Sequence, residues 1–232
     1  MVALEQLRAA APTISVGVLT ADLLNLGSEV SLLEEVGVKV VHFDVMDGCF
    51  VPMMTVGPPF IKAVKTPLLK DVHLLIQDPL EKVDAYVAAG ADIVTVHVES
   101  ADDMLPVLRK LGGMGVVRGI ALNPGTPMEA IEPLLDEVEM VVVLAVVPGV
   151  SSKFEASTPG RLAKAREMIA GRDILLCVDG GIKRDNIAEV AKLGADLIVT
   201  GSAVFDGKDP RGNAEFMLNL LSDWSDMSDK SD

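Results

Sequence analysis

Three histidines occur in the 232-residue chain, and each falls near the end of an apolar, β-branched run. His42 and Asp44 are two residues apart, a spacing that puts both side chains on one side of an extended strand. Asp71 and His73 repeat it, and Asp179 stands directly before Gly180 and Gly181. Taken singly, each is an ordinary polar residue satisfied by neighbouring backbone. Together, His42, Asp44, His73 and Asp179 form a nitrogen and oxygen donor set that Zn, Mn, Fe or Co accepts as a divalent ion, with no choice made among them. Thr95, His97 and Glu99 alternate on a fourth run, where His97 reads as a hydrogen-bonded support for a ligand, not as a fifth ligand. A second constellation suits phosphate. Gly180-Gly181 and Gly201-Ser202-Ala203 follow the last two runs. Small residues let backbone N–H groups approach an anion, and a short helix beginning there would add its dipole.

These residues meet only if the chain gathers its strand ends. Strand-like runs begin at Ile14, Val38, Leu68, Ala91, Val116, Glu139, Asp173 and Ala195. Each is continuously apolar, as expected of strands buried on both faces in a parallel sheet covered by helices. Between the first two, Leu26, Val30, Leu33 and Val36 share one helical face. Gly37, Gly90 and Gly194 each close a helical run, where a left-handed C-cap favours glycine. Eight strands alternating with helices in about 220 residues predict an α/β fold, a (β/α)8 TIM barrel, near its usual size of ~250. A doubly wound open sheet is the alternative, and the lack of GxGxxG after the first run counts against it. In a barrel, functional side chains cluster at the C-terminal strand ends, where the candidates sit. One domain is expected over residues 1–221, followed by an acidic, flexible tail at 222–232 that carries Trp224.

Acidic residues outnumber basic ones 34 to 20, a net charge of −14. That surface repels phosphodiester backbones and anionic lipid, so neither nucleic acid nor membrane is expected as a partner. Half the chain is hydrophobic and only 3% aromatic, which calls for an aliphatic core. The longest apolar run, Met140 to Val150, contains Pro148 and Gly149 and falls short of the ~20 residues a spanning helix needs. Glu5 and Arg8 interrupt what would be the apolar stretch of a signal peptide. Cys49 and Cys177 make no disulfide framework. A cytoplasmic protein is expected.

Several segments carry a resemblance. They are His42-Phe-Asp-Val-Met-Asp-Gly-Cys-Phe-Val-Pro, Val56-Gly-Pro-Pro, Asp71-Val-His-Leu and Ala89-Gly-Ala-Asp-Ile-Val-Thr-Val-His, then Leu122-Asn-Pro-Gly-Thr-Pro, Val178-Asp-Gly-Gly-Ile and Gly201-Ser-Ala. Together they resemble the ribulose-phosphate 3-epimerase family over nearly the whole chain, from Ile14 to Phe205. The resemblance implies metal-dependent epimerisation at C3 of a ketose phosphate on a TIM barrel. It implies His42, Asp44, His73 and Asp179 as metal ligands, and Asp44 and Asp179 as the acid/base pair. It implies Met46 lining the metal pocket, and Gly149, Ser151 and Ser152 in a loop over substrate and phosphate. A homo-oligomer, dimer or hexamer, is implied as well, with a small-molecule sugar phosphate as the partner. The chemistry agrees. Inverting a carbon beside a carbonyl needs a proton removed from one face and one returned to the other, and a Lewis-acid metal stabilises the enediolate between.

The departures concern recognition. Gly17 stands where the family usually has Ser, and Leu75 and Leu144 replace methionines. Cys49 replaces a residue that is commonly His. The loop after the sixth run reads Val147-Pro-Gly-Val-Ser-Ser in place of Asn-Pro-Gly-Phe-Gly-Gly. The expected substrate is therefore D-ribulose 5-phosphate/D-xylulose 5-phosphate or a related tetrulose or hexulose phosphate. Two alternatives stand beside it. A barrel aldolase or decarboxylase of a keto sugar phosphate would pair a lysine with the carboxylates, and Lys39 lies several residues before its strand end. A sugar-phosphate-binding barrel without turnover is favoured by the altered loop and opposed by the four retained ligands. Among other polar residues, Asp47 is expected to shape a turn, Lys183-Arg184 to attract phosphate or open a solvated helix, and Asn123 to hold a rigid turn near the pocket.

Overall fold

The computed structural model describes residues 2–228, with the backbone alone for 223–228. Eight parallel strands close into a barrel in sequence order. They are β1 (Thr13–Gly17), β2 (Val40–Met46), β3 (Leu69–Leu75), β4 (Ile93–His97), β5 (Val117–Leu122), β6 (Met140–Leu144), β7 (Leu175–Asp179) and β8 (Leu197–Thr200). Around them run α1 (Val2–Ala10), α2 (Leu26–Glu35), α3 (Pro58–Ala63), α4 (Val83–Ala88), α5 (Leu105–Gly113), α6 (Thr158–Ile169), α7 (Ile187–Ala191) and α8 (Pro210–Ser228). Between β5 and β6 the helical layer is a 3-10 helix, Met128–Glu137, with Pro133 inside it. Proline lacks the N–H an α-helix would need there.

The continuous apolar runs are explained by two separate cores. Outward-facing Phe43, Val72, Val94, Ile120 and Val143 pack with helix residues such as Leu33, Leu108 and Leu162. Inward-facing Val40, Leu69, Ile93, Val142, Leu175 and Val199 fill the barrel. Leu4 and Leu7 of α1 join this inner cluster, so the N-terminal helix plugs the lower end. Gly119 of β5 stands directly beside its paired residue Thr95 on β4, and a Cβ there would come within 2.2 Å of the threonine hydroxyl. Gly37, Gly90 and Gly194 end helices at φ +90°, +94° and +75°, the left-handed conformation expected of them.

Register then aims the polar residues. Pairing of β2 with β3 sets Asp44 beside His73 and His42 beside Asp71, all on the inner side. Both strands run two residues past the sequence expectation because they stay paired to Met46 and Leu75. The sixth strand stops early, at Leu144, where the Ala145 N–H donates to the Asp179 carbonyl and the chain leaves the sheet. The stretch after β8 is not a helix. It is a single turn in which Val204 and Phe205 donate to the Gly201 carbonyl, before α8 begins at Pro210. That last helix takes in the first residues of the segment read as a tail and ends at Ser228. The side chain of Trp224 and residues 229–232 lie outside the described residues. Both cysteines are free. Among the described residues no helix is long and apolar enough to cross a membrane.

Leu7 is 1% exposed. Leu7→Ala is expected to cost about 2–5 kcal/mol of unfolding free energy by urea denaturation, as for other buried leucines. A cost under ~1 kcal/mol would show that α1 is not the plug that holds the barrel floor.

Candidate metal centre and active-site cavity

At the C-terminal rim, β2 contributes His42 and Asp44, β3 contributes His73, and β7 contributes Asp179. One donor atom from each lies within 4.8 Å of the others. His73 Nδ1 is 3.3 Å from Asp44 Oδ1 and 3.2 Å from Asp179 Oδ2. His42 Nε2 is 3.1 Å from the same Asp44 oxygen and 4.0 Å from Asp179 Oδ2. Both imidazoles are nearly sealed from solvent.

The donor set fits a divalent cation on two grounds. All four donors are nitrogen or carboxylate oxygen, the set that Zn, Mn, Fe or Co takes. His73 Nδ1 is also buried and lacks a well-formed hydrogen bond, although it points between two carboxylates. Buried polar atoms are rarely left so.

Electrostatics draws positive charge to the same point. Burial by itself would push His42 down, but Coulombic attraction by Asp71 and Asp44 and hydrogen bonds to both hold its pKa well above the ordinary value. His73 is likewise desolvated, yet Asp179 and Asp44 raise it to about 9. Burial would lift Asp44, and the charge and hydrogen bond of His42, with the charge of His73 beside it, outweigh this and hold it well below the usual carboxylate range. The carboxylate oxygens thus ask for a cation at their centre, which protons on the imidazoles or a metal ion can supply.

Each imidazole is braced from behind. His42 Nδ1 lies 2.7 Å from Asp71 Oδ2, an oxygen that also accepts from Ser15 Oγ at 2.9 Å. This fixes Nε2 as the His42 atom facing the centre. His73 Nε2 lies 2.9 Å from His97 Nε2, and Phe50 packs on the His97 ring at 5.0 Å between centroids. His97 is therefore a support, as expected, and makes no approach of its own to the four-donor centre.

Above the centre opens a cavity of about 170 Å³ lined by Asp44 and Asp179 together with Gly17, Leu19, Thr20, Gly180, Gly181, Gly201 and Ser202. Gly180 and Gly181 follow β7 at φ +104° and +68°. A Cβ on Gly180 would strike Val146 Cγ2 at 2.4 Å, and one on Gly181 would come within 2.9 Å of the Phe154 N. Only bare backbone fits there, which suits close approach to an anion. Four of the residues expected over substrate stand outside this lining. Met46 ends β2 half-buried. Gly149 sits against Val51 and Pro52, so the loop after β6 leans on the loop after β2. Ser151 Oγ accepts from the Lys153 N–H, and the Ser152 carbonyl lies beside Gly181. None of the residues Val147–Ser152 is among those lining the cavity.

Other polar residues resolve simply. Asp47 accepts from the N–H groups of Cys49, Phe50 and Gln77, the turn-shaping role expected. Arg184 donates to Asn213 Oδ1 and lies 4.1 Å over the Phe216 ring, which commits it to α8 and away from phosphate. Lys39 lines a separate cavity with Gln6, Ala9 and Ala10 of α1, at the plugged end. Asp71 and Ser15 were not singled out as site residues by sequence. Their signal was the same two-residue step, one turn of the pleat deeper than His73 and Gly17. Leu19 and Thr20 lie beyond the first strand and gave no signal.

A closed eight-stranded α/β barrel with its polar residues and paired glycines at the C-terminal rim is a TIM barrel whose candidate site lies at the end where such barrels carry theirs. A sequence model of the ribulose-phosphate 3-epimerase family matches residues 13–205, and the chain belongs to that family. It is 41% identical over 198 residues to the ribulose-phosphate 3-epimerase of Rhodobacter capsulatus, covering 84% of this chain and 86% of that one. It is 36% identical over 217 residues to the Escherichia coli K12 ribulose-phosphate 3-epimerase, covering 90% and 96%. Among solved structures, 3-hexulose-6-phosphate synthase from Salmonella typhimurium superposes with a TM-score of 0.71 at 21% identity, over 91% of this chain and 99% of that one. That last likeness concerns the fold alone.

A cation held by the four donors stabilises the folded state by mass action, about 2.7 kcal/mol at a hundredfold excess over Kd. Chelator-stripped protein is expected to gain thermal stability in calorimetry on addition of zinc or manganese. His73→Ala is expected to lose that gain. An equal gain in the variant would place the ion elsewhere.

Proposed function

We propose that the chain is a ketose-phosphate 3-epimerase in which Asp44 and Asp179 exchange protons with C3 and His42, Asp44, His73 and Asp179 hold one divalent cation. The observation that carries this reading is the placement of the two carboxylates. They come from strands three places apart around the ring, yet both open on one cavity and both lie within 3.3 Å of one imidazole nitrogen. Membership of the family supports the reaction class.

In one direction Asp44 enters ionised, as its environment dictates, and takes the C3 proton. Asp179, which enters protonated, returns its proton to the opposite face and is left ionised, and the roles reverse for the back reaction. A bound divalent ion would supply Lewis-acid stabilisation of the negative charge that develops on the substrate oxygens. His42 and His73 hold their rings in place through Asp71 and His97. The bare backbone at Gly180, Gly181 and Gly201, with Ser202, forms the wall best suited to the phosphate end.

The position of the altered loop favours a second reading, a sugar-phosphate-binding barrel without turnover, because Val147–Ser152 supplies nothing to the cavity lining. The lysine-based alternative loses its support, since Lys39 sits at the plugged end and no lysine is among the cavity's lining residues.

Asp44→Asn and Asp179→Asn are each expected to slow exchange of solvent deuterium into C3 of ribulose 5-phosphate, followed by NMR, by about 10²–10⁴-fold. Exchange at the native rate in either variant would end the two-carboxylate assignment. No exchange by the native, metal-loaded protein with tetrulose, pentulose or hexulose phosphates would leave the binding reading.

Gly17 faces this cavity, and a Cβ there would meet nothing nearer than Gly201 Cα at 3.5 Å. Neither backbone angle nor crowding demands a glycine, so its value lies in the space it leaves. Gly17→Ser is expected to weaken a hexulose phosphate relative to ribulose 5-phosphate by about tenfold or more in kcat/KM, the usual cost of one misplaced group. An unchanged ratio would remove Gly17 from the specificity determinants.

A further inference from the structure

Behind His73 the hydrogen bonds continue outward through five more residues. His97 Nδ1 lies 3.1 Å from Glu99 Oε2. The other Glu99 oxygen accepts from the Asn123 N–H at 2.7 Å and from the Thr126 hydroxyl. Arg161 of α6 then clamps the same turn from its far side, donating to the Thr126 carbonyl at 2.7 Å and the Asn123 carbonyl at 2.9 Å. Four elements, β3, β4, the turn after β5, and α6, are joined by one chain of polar contacts.

The polarity of that chain is determined from its outer end. An ionised carboxylate only accepts, so Glu99 forces His97 to carry a proton on Nδ1. The neutral His97 then offers a bare Nε2, and that nitrogen can pair with His73 only if His73 carries its proton on Nε2. What is left on His73 is the Nδ1 lone pair, the buried atom that faces Asp44 and Asp179 without a hydrogen bond of its own. We propose that Glu99, held by Thr126 and Arg161, is a positioning residue that sets the tautomer of His73 through His97 and thereby presents Nδ1 to the metal. The proposal rests on the reading of His42, Asp44, His73 and Asp179 as a cation site.

Glu99→Gln is the discriminating change. The amide is nearly isosteric, but its NH₂ facing His97 would turn Nδ1 into an acceptor. His97 would then donate from Nε2, and His73 would be left with its proton on Nδ1, where the ion must bind. His97→Gln has the opposite character, because its amide oxygen can still accept from His73 Nε2–H.

The test is zinc affinity by competition with a fluorescent chelator, with melting temperatures of the metal-free proteins measured alongside. Nitrogen-15 NMR of the histidine rings in the zinc-loaded native protein completes it, and only three histidines need assignment. Glu99→Gln is expected to bind zinc about ten- to hundredfold more weakly with little change in melting temperature, as for other groups that orient metal-binding histidines. His97→Gln is expected to bind several-fold more tightly than Glu99→Gln, and His97 in the native protein to carry its proton on Nδ1. Zinc affinity in Glu99→Gln within twofold of native, or a His97 proton found on Nε2, would overturn the proposal. So would equal losses in the two variants that track a fall in melting temperature, since they would mark a packing role. Failure of the native protein to bind zinc, manganese, iron or cobalt would instead overturn the cation site itself.

Discussion

Two carboxylates and two imidazoles are forced together at one buried point, and their charges must balance there. Asp44 and Asp179 both approach His73 Nδ1 within 3.3 Å. Like charges at such separations in a desolvated site cannot both persist without a compensating cation. The raised pKa values of His42 and His73 express that demand in protons. A divalent ion answers the same demand with a fixed centre and frees the imidazoles to act as neutral ligands. The barrel makes the crowding unavoidable, because closure aims inward-facing residues of β2, β3 and β7 at one axis.

Such a centre imposes order on what surrounds it. Each ring nitrogen that faces inward has its opposite nitrogen committed to a partner, His42 to Asp71 and Ser15, His73 to His97 and Glu99. The two braces differ in kind. Asp71 lies inside the barrel, one pleat step below His73, and nearly sealed. Glu99 lies past the end of β4, where its partners come from loops. The inner brace is thus as rigid as the sheet. The outer one depends on Arg161 and the turn at Asn123–Thr126, and so on how α6 is held against that turn.

The fold was legible because its signal is redundant. Eight continuous apolar runs and glycines at three helix ends predicted a barrel without any single residue deciding it, and the pairing of β2 with β3 then aligned His42, Asp44 and His73 as the two-residue spacing required. Asp71 carried the same spacing as the ligands but not its depth, since period two says which face a side chain takes and not how far down the barrel it lies. The chain makes one turn after Gly201, which the small residues there left open, because phosphate-compatible glycines do not reveal whether the chain coils after them. The chain from Thr126 to Glu99 and Arg161 joins residues brought together only by loop conformation, for which no periodicity exists.

Three departures from the family pattern, Gly17, Leu75 and Leu144, stand at strand ends, beside the groups that would move protons or hold a cation. Gly17 and Gly201 show how recognition can shift beside them. A Cβ on Gly201 would come within 2.9 Å of the Gly17 carbonyl, so backbone contact between β1 and β8 requires that glycine. Gly17 carries no such requirement, and its side-chain space opens directly on the cavity. One glycine serves the closure of the barrel and the other the shape of what enters it. Substrate preference can therefore change at a strand end without moving the carboxylates, because Gly17 pairs with His42 through backbone alone and a side chain added there would meet only the cavity.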